Sequence, residues 1–188
     1  LKPYTGSNVI TEMTATVKPV TEVKPPKDAT MVKVTAKNVQ TDAGHFPWKA
    51  IDGDEKTCWT GNGPAMPNWL QLEFEKPTTV TSTEILWEKS EDWYQYKIET
   101  SRDGKAWTMA HDGSKNQRKS DTKDTFKAEK TKFLRVTVLK QEHGQWPAIW
   151  ELKLNGEKGP LKLFPIFKKG EGPKGKVSGK GLEKSGNI

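Results

Sequence analysis

The chain has 188 residues, a formal net charge of +7 and a hydrophobic content of only 32%. Its eight tryptophans can each bury a large apolar area, so we expect a small core built largely from aromatic rings. No apolar run approaches the length of a membrane-spanning helix. The single cysteine, Cys58, excludes internal disulfides, paired-cysteine redox motifs and zinc–cysteine sites.

The positive charge is concentrated towards the C-terminal end. Residues 157–188 contain eight lysines and three glutamates, a net +5, which leaves +2 for the other 156 residues. A basic tail of this kind is usually solvated, whereas a nucleic-acid-binding domain carries its basic residues on a folded face. We therefore expect no nucleic-acid binding.

The two ends of the chain differ in composition from its centre. Residues 1–29 combine Pro-Pro, charged and β-branched residues, which favours an extended linker, although their alternation would also allow an edge strand. Residues 157–188 begin with a short apolar cluster in GPLKLFPIFKK, which we expect to dock on the body or on a neighbouring molecule. The remainder is a Lys- and Gly-rich tail.

The region between residues 30 and 156 consists of short β-like runs separated by turn residues. In WLQLEF, the side chains of Leu70, Leu72 and Phe74 share one face, and Asp103-Gly104 predicts a hairpin. No segment keeps a helical period, so the pattern predicts an all-β sandwich. The other runs are Met31–Ala36, Thr81–Trp87, Tyr94–Thr100, Lys132–Leu139 and Ile149–Gly156.

The acidic turn Asp52-Gly53-Asp54 suggests a bound cation. Hard oxygen ligands close to a glycine turn suit calcium, because such a turn can aim several oxygens at one point. A polar turn in which Asp acts only as a cap is the alternative interpretation. An EF-hand is excluded, because the twelfth position counted from Asp52 is Gly63, where that loop needs a bidentate glutamate.

Five segments in order resemble one family, the F5/8 type C (discoidin) domain: AIDGDEKTCW, NWLQLEF, YKIETSRDGKAW, KFLRVTV and IWELKLNG. With the pair Trp87-Glu88 ahead of YKIETSRDGKAW, the sequence also resembles the bacterial branch of this family, the family 32-type carbohydrate-binding modules. The resemblance covers residues 30–156. It implies an eight-stranded jelly-roll β-sandwich of the galactose-binding-like type.

The resemblance also implies one structural calcium ion between the first long loop and the last strand. By position, it implies carboxylate ligands from Asp52 and Glu151, and both the hydroxyl and the carbonyl of Thr57. Backbone carbonyls would complete the site, from Lys49, Asp54 and Trp150. Such an ion would join the loop to the last strand and would not take part in chemistry.

The tryptophans divide into two groups. Those at or beside family positions are expected mainly to pack: Trp59, Trp69, Trp87, Trp107 and Trp150. Trp48, Trp93 and Trp146 lie in predicted loops, where an indole can stack on the apolar face of a sugar or simply cover one end of the sandwich. The polar groups nearest to these rings in sequence are His45, Glu88, His143 and Gln145. The predicted ligand-binding residues are His45, Trp48, Glu88, Trp93, His143 and Trp146.

The leading hypothesis is a non-catalytic carbohydrate-binding module that stacks a glycan on loop tryptophans. The alternative is an adhesion module on the same fold that binds a partner protein or the cell envelope, and membrane binding is a weaker third option. We expect no enzyme, because Asp52 and Glu151 are better explained as calcium ligands and no other carboxylate pair stands out. We also expect an extracellular, periplasmic or cell-surface location within a larger bacterial protein or complex.

Overall fold

The computed structural model describes residues 24–156 and 159–167. The all-β, eight-stranded sandwich predicted from the sequence is confirmed for this part of the chain, whereas the predicted linker up to residue 23 and the tail beyond residue 167 lie outside it. No helix in these ranges is long and apolar enough to cross a membrane. The elements in chain order are β1 (Thr30–Ala36), a 3₁₀ helix (Pro47–Ile51), β2 (Trp59–Thr60), β3 (Asn68–Trp87), β4 (Tyr94–Ser101), β5 (Trp107–Gly113), β6 (Thr122–Gln141), β7 (Ala148–Leu154) and β8 (Leu163–Pro165).

Two long strands, β3 and β6, organise the sandwich. Each runs for 20 residues, and they pair with each other antiparallel along most of that length. The first half of β3 has β1 on its other side, whereas the second half has β7 there. Register shifts between Glu73 and Ser82 mark where β3 bends away from a regular ladder. The strand order is β2-β7-β3-β6-β4-β5, with β1 attached to β3. The pair formed by β3 and β6 therefore contributes residues to both layers of the sandwich.

The core lies between the two layers and is rich in aromatic rings. Trp59 and Trp87 are fully buried, which confirms their predicted packing role. The Trp87 ring stacks on Tyr94 with a centroid distance of 4.3 Å. The indole N–H groups of these two tryptophans both have partners: Trp59 donates to the Asn38 carbonyl and Trp87 donates to the Thr122 hydroxyl.

The short strand β8 extends the sheet beyond β1. It pairs in parallel with β1, and the Ile166 N–H donates to the Val32 carbonyl at 2.7 Å. Leu161 and Leu163 pack against the core, and the Phe167 ring meets Trp48 edge-on at 5.4 Å. The predicted apolar docking segment therefore docks on the body of its own chain. The physical reason is that β1 would otherwise present an unpaired backbone edge.

Candidate functional site

The acidic turn lies at the C-terminal end of the 3₁₀ helix and contacts strand β7. Gly53 has φ +76°, a conformation that favours glycine, and its N–H donates to Glu151 Oε2 at 3.2 Å. Asp52 accepts from the Asp54 N–H at 3.0 Å and from the Thr57 hydroxyl at 2.8 Å. The fold thus brings together the two segments that hold all the predicted calcium ligands.

Glu151 is a buried carboxyl in this site, with 5% of its surface exposed. Burial, and then the negative charge of Asp52, raise the pKa of Glu151 to about 7. Among the residues that the structure describes, neither the Asp52 carboxylate nor the Glu151 carboxylate has an ion pair with lysine or arginine. The nearby Lys153 is instead paired with Glu55 at 2.6 Å. The site therefore concentrates negative charge without a matching cation.

The backbone around Glu151 is also suited to an ion. Leu86 pairs with Glu151 whereas Trp87 pairs with Ile149, so Trp150 forms a β-bulge with no opposing residue on β3. A bulge leaves backbone groups outside the ladder, which fits the carbonyl role predicted for Trp150. Carboxylates, a hydroxyl and carbonyls are the oxygen donors that calcium prefers. The residues present fit a calcium ion.

A second candidate site, here called the loop pocket, has a volume of about 220 Å³. It lies where the loop after β1, strand β2, the β3–β4 loop and the β6–β7 loop meet. Three predicted ligand residues, His45, Glu88 and Trp146, lie together in its wall. The full lining is Gln40, His45, Cys58, Thr60, Glu88, Lys89, Gln145, Trp146, Ala148 and Trp150.

Hydrogen bonds with Gln141 hold the β6–β7 loop, which carries Trp146, in place. The buried Gln141 side chain accepts the N–H groups of His143 and Gln145 at Oε1, both at 2.9 Å. Its amide nitrogen donates to the buried carboxylate of Asp92 in the β3–β4 loop. A single buried amide thus links the two loops that flank the pocket, which restricts the position of Trp146.

Several side chains in the loop pocket can contact a ligand. Trp146 is 38% exposed, and the amide side chains of Gln40 and Gln145 make no hydrogen bond to any residue in the described ranges. The Glu88 carboxylate lies 4.0 Å from Lys89 Nζ, which is a weak pairing. The pocket therefore offers an indole face, two amides and a carboxylate.

The floor of the pocket contains the only cysteine of the chain. Cys58 Sγ lies 3.1 Å from His45 Nδ1 and 3.4 Å from the Thr60 hydroxyl. Burial raises the pKa of the Cys58 thiol, so the protonated form is favoured and the residue is a poor nucleophile. With 2% of its surface exposed, Cys58 acts as a small buried residue that packs beneath the pocket.

The other three predicted ligand residues lie outside the loop pocket. The Trp48 ring packs between Phe46 and Phe167, and its buried indole N–H has no partner in the described residues. Trp93 lies under the ammonium group of a neighbouring lysine, Lys140, at 5.6 Å. The ligand roles of Trp48, Trp93 and His143 therefore stay predictions.

A polar network beside the pocket was missed from the sequence. The atoms by which Asp92, Glu142 and His143 could coordinate a metal lie within 4.8 Å of one another, and His143 Nδ1 lies 3.1 Å from Asp92 Oδ1. Glu142 is already paired with Lys119 at 2.6 Å, so we interpret the network as structural support for the loop. No short motif unites these residues, so only the fold reveals it. Gln40, Thr60 and Lys89 were missed as pocket residues for the same reason.

Comparisons with known proteins identify the family of this fold. The profile of the F5/8 type C domain matches residues 33–152. No curated protein sequence matches the chain. Among solved structures, a pectin-binding carbohydrate-binding module is 30% identical with a TM-score of 0.59, over 74% of this chain and 99% of that chain.

More distant structures share the fold. A chitosan-binding module from Paenibacillus sp. IK-5, solved with chitotriose, is 23% identical with a TM-score of 0.58, over 65% of this chain and 95% of that chain. The module CpGH89CBM32-5 from Clostridium perfringens, solved with GalNAc-β-1,3-galactose, is 23% identical with a TM-score of 0.56, over 65% of this chain and 94% of that chain. Because the family profile spans well over half of the sequence, this chain belongs to the F5/8 type C domain family.

Proposed function

We propose that the protein is a non-catalytic glycan-binding module whose ligand occupies the loop pocket. The observation that carries this proposal is the exposed Trp146 ring, which lies in one concave pocket with Glu88 and two unpaired amide side chains. An indole can cover the apolar face of a sugar while amides and a carboxylate bind its hydroxyls. A concave pocket of this kind favours a sugar over a flat protein surface.

The composition of the loop pocket supports binding rather than hydrolysis. Glycoside hydrolysis commonly needs two carboxylates on opposite sides of the scissile bond. Glu88 is the one carboxylate among the residues that line the pocket. The known structures most similar to the chain include modules described as pectin-binding and chitosan-binding, which gives an initial panel of ligands.

The proposal includes a structural calcium ion at the acidic turn. Asp52, Glu151 and Thr57 would hold it, together with the backbone carbonyls of Lys49, Asp54 and Trp150. The ion would neutralise the two facing carboxylates and fix the turn to β7. We further propose a secreted or cell-surface location, because sugar-binding modules meet their polysaccharides outside the cell.

The test is a binding titration of the whole chain against pectin fragments, chitosan oligosaccharides, alginate oligosaccharides and GalNAc-β-1,3-galactose. We expect Trp146→Ala to weaken binding of the glycan that binds by about tenfold or more, since stacking and burial of an aromatic ring are lost. Ile166→Ala is the control, because that exposed apolar side chain lies outside the pocket. Absence of binding to every glycan, or equal affinities of the Trp146→Ala and wild-type proteins, would contradict the proposal.

A further inference from the structure

A second feature lies among residues that do not line the loop pocket, on the outer face of the sheet formed by β3, β6, β4 and β5. The guanidinium carbon of Arg135 lies 4.9 Å from the ring centroid of Trp69 and 4.0 Å from that of Trp107. Trp69 is on β3 and Trp107 is on β5, on either side of β6. We call this surface, with Gln71, the Trp–Arg face. Its tryptophans were expected mainly to pack, and they are half-buried and pack around Arg135.

Within the part of the chain that the structure describes, the hydrogen bonds of Arg135 leave one edge of its guanidinium without a partner. Gln71 Oε1 accepts from Nε at 3.0 Å and from Nη2 at 2.6 Å, so the amide occupies the Nε–Nη2 edge. Arginine has five N–H donors, and of the remaining three, one on Nη1 and one on Nη2 lie at the Nη1–Nη2 edge. No carboxylate in the described ranges forms an ion pair with Arg135, although Glu99 is opposite it on β4.

The two indoles make Arg135 a rigid cation. A free arginine side chain loses considerable rotamer entropy when it binds, whereas one already fixed between rings loses less. The guanidinium is partly buried, and this burial lowers the pKa of Arg135 from its ordinary value. A desolvated, fixed guanidinium forms stronger hydrogen bonds to an anion than a mobile one in water.

Charged side chains of both signs lie around Arg135. Lys33 and Glu73 pair with each other at 3.8 Å on the neighbouring strands. On β4, Glu99 lies opposite Arg135 and its charge acts on the guanidinium, whereas Lys97 lies opposite Asp112 of β5. Exposed apolar surface lies close by at Met109, which is 43% exposed on β5. The face thus combines one fixed cation with planar rings, and an anion that binds the cation has to compete with Glu99.

We propose that the Trp–Arg face is a second binding surface, at which the free edge of Arg135 holds the carboxylate of a uronic-acid residue in an acidic polysaccharide. A planar guanidinium edge matches a carboxylate in a bidentate pair, and the neighbouring indoles offer apolar contact to a sugar ring. The proposal rests on the proposed function only in taking the ligand to be a glycan. A flat sheet face suits a polymer lying across strands, whereas the loop pocket suits a single sugar.

The experiment compares two forms of one polymer. Oligogalacturonides with free carboxylates and their methyl esters have the same rings but differ in charge, and binding of each is measured with the whole chain by titration calorimetry. We expect the free acids to bind more tightly, and Arg135→Lys to weaken their binding by about tenfold because the bidentate geometry is lost while the charge remains. Arg102→Lys, at an exposed turn arginine, is the matched control and should bind as wild type.

The outcomes separate this inference from the proposed function. Melting temperatures of the Arg135→Lys and Arg135→Ala proteins are measured alongside, so that a folding defect is recognised. The inference is overturned if acids and esters bind equally, if Arg135→Lys binds the acid as wild type does, or if only Trp146→Ala abolishes acid binding. It is also overturned if poly-glutamate binds as tightly and depends equally on Arg135, because the partner is then an acidic protein. Trp146-dependent binding of neutral glycans would leave the proposed function standing in each case.

Discussion

The raised pKa of Glu151 predicts that the calcium-free protein becomes less stable as the pH rises. The ordinary value for this carboxyl is 4.5, and in the folded protein it is about 7. The folded state therefore holds the Glu151 proton more tightly than the unfolded chain, so the free energy of unfolding falls between pH 4.5 and pH 7. From pH 5 to pH 7 the loss is about 2 kcal/mol. For a domain of this size, that corresponds to a fall in melting temperature of roughly 4–8 °C.

The assay is thermal unfolding at pH 5, 6 and 7, with a chelator or with added calcium. Glu151→Gln removes the titrating group, so its melting temperature with chelator should fall less across this range than that of the wild type. Added calcium should raise the melting temperature of the wild type most at pH 7, since the ion favours the ionised carboxylate. Glu73→Gln, at a carboxylate on the outer sheet face, is the control and should follow the wild type.

Two results would refute this reasoning, each at a different step. If the wild type and Glu151→Gln lose stability equally between pH 5 and pH 7 in chelator, burial of the Glu151 charge is not the cause of the lower stability of the calcium-free protein at pH 7. If calcium leaves the melting temperature of the wild type unchanged at pH 7, the structural calcium proposal fails, whatever the pH profile shows.

Three further variants each test one contact that stabilises the fold, and each is measured by thermal unfolding. Gln141→Leu removes one of the two partners of the buried Asp92 carboxylate and leaves two loop N–H groups without partners, so it should destabilise the protein by about 3 kcal/mol and also weaken glycan binding; unchanged stability would contradict the network. Gly61→Ala should destabilise by about 1–3 kcal/mol, because a Cβ there would lie 2.8 Å from Pro147 Cγ, and a neutral result would show that the loop can shift. Phe167→Ala removes the edge contact to Trp48 and should lower the melting temperature by about 2–4 °C, whereas no change would mean that the contact contributes nothing.

Much of the fold could be predicted because alternation marks each strand. The WLQLEF run places Leu70, Leu72 and Phe74 in the core, as expected. The boundaries were less predictable: WLQLEF and Thr81–Trp87 were predicted as separate runs, yet the structure joins them through Pro77 as one irregular strand. Proline has no N–H to donate, and the register shifts around it show how the strand accommodates that loss.

The candidate sites were predictable only where a local motif exists. The acidic turn is visible in the sequence, but its contact with Glu151 spans 98 positions and was available only through the family resemblance. The loop pocket draws on four separate segments, so its membership follows from loop conformation rather than from any spacing. Trp48 illustrates the limit: its loop position suggested exposure, but Phe167, more than a hundred residues away, packs against its ring.

The parallel pairing of β8 with β1 has a mechanical consequence. Tension applied to the domain through Thr30 and Phe167 would pull two parallel, paired strands from opposite ends. Such a geometry loads the hydrogen bonds from Thr30 N–H to Lys162 O and from Ile166 N–H to Val32 O in shear, so that they must fail together rather than one after another. A module that anchors a larger protein to a polysaccharide would gain resistance to pulling from this terminal clamp.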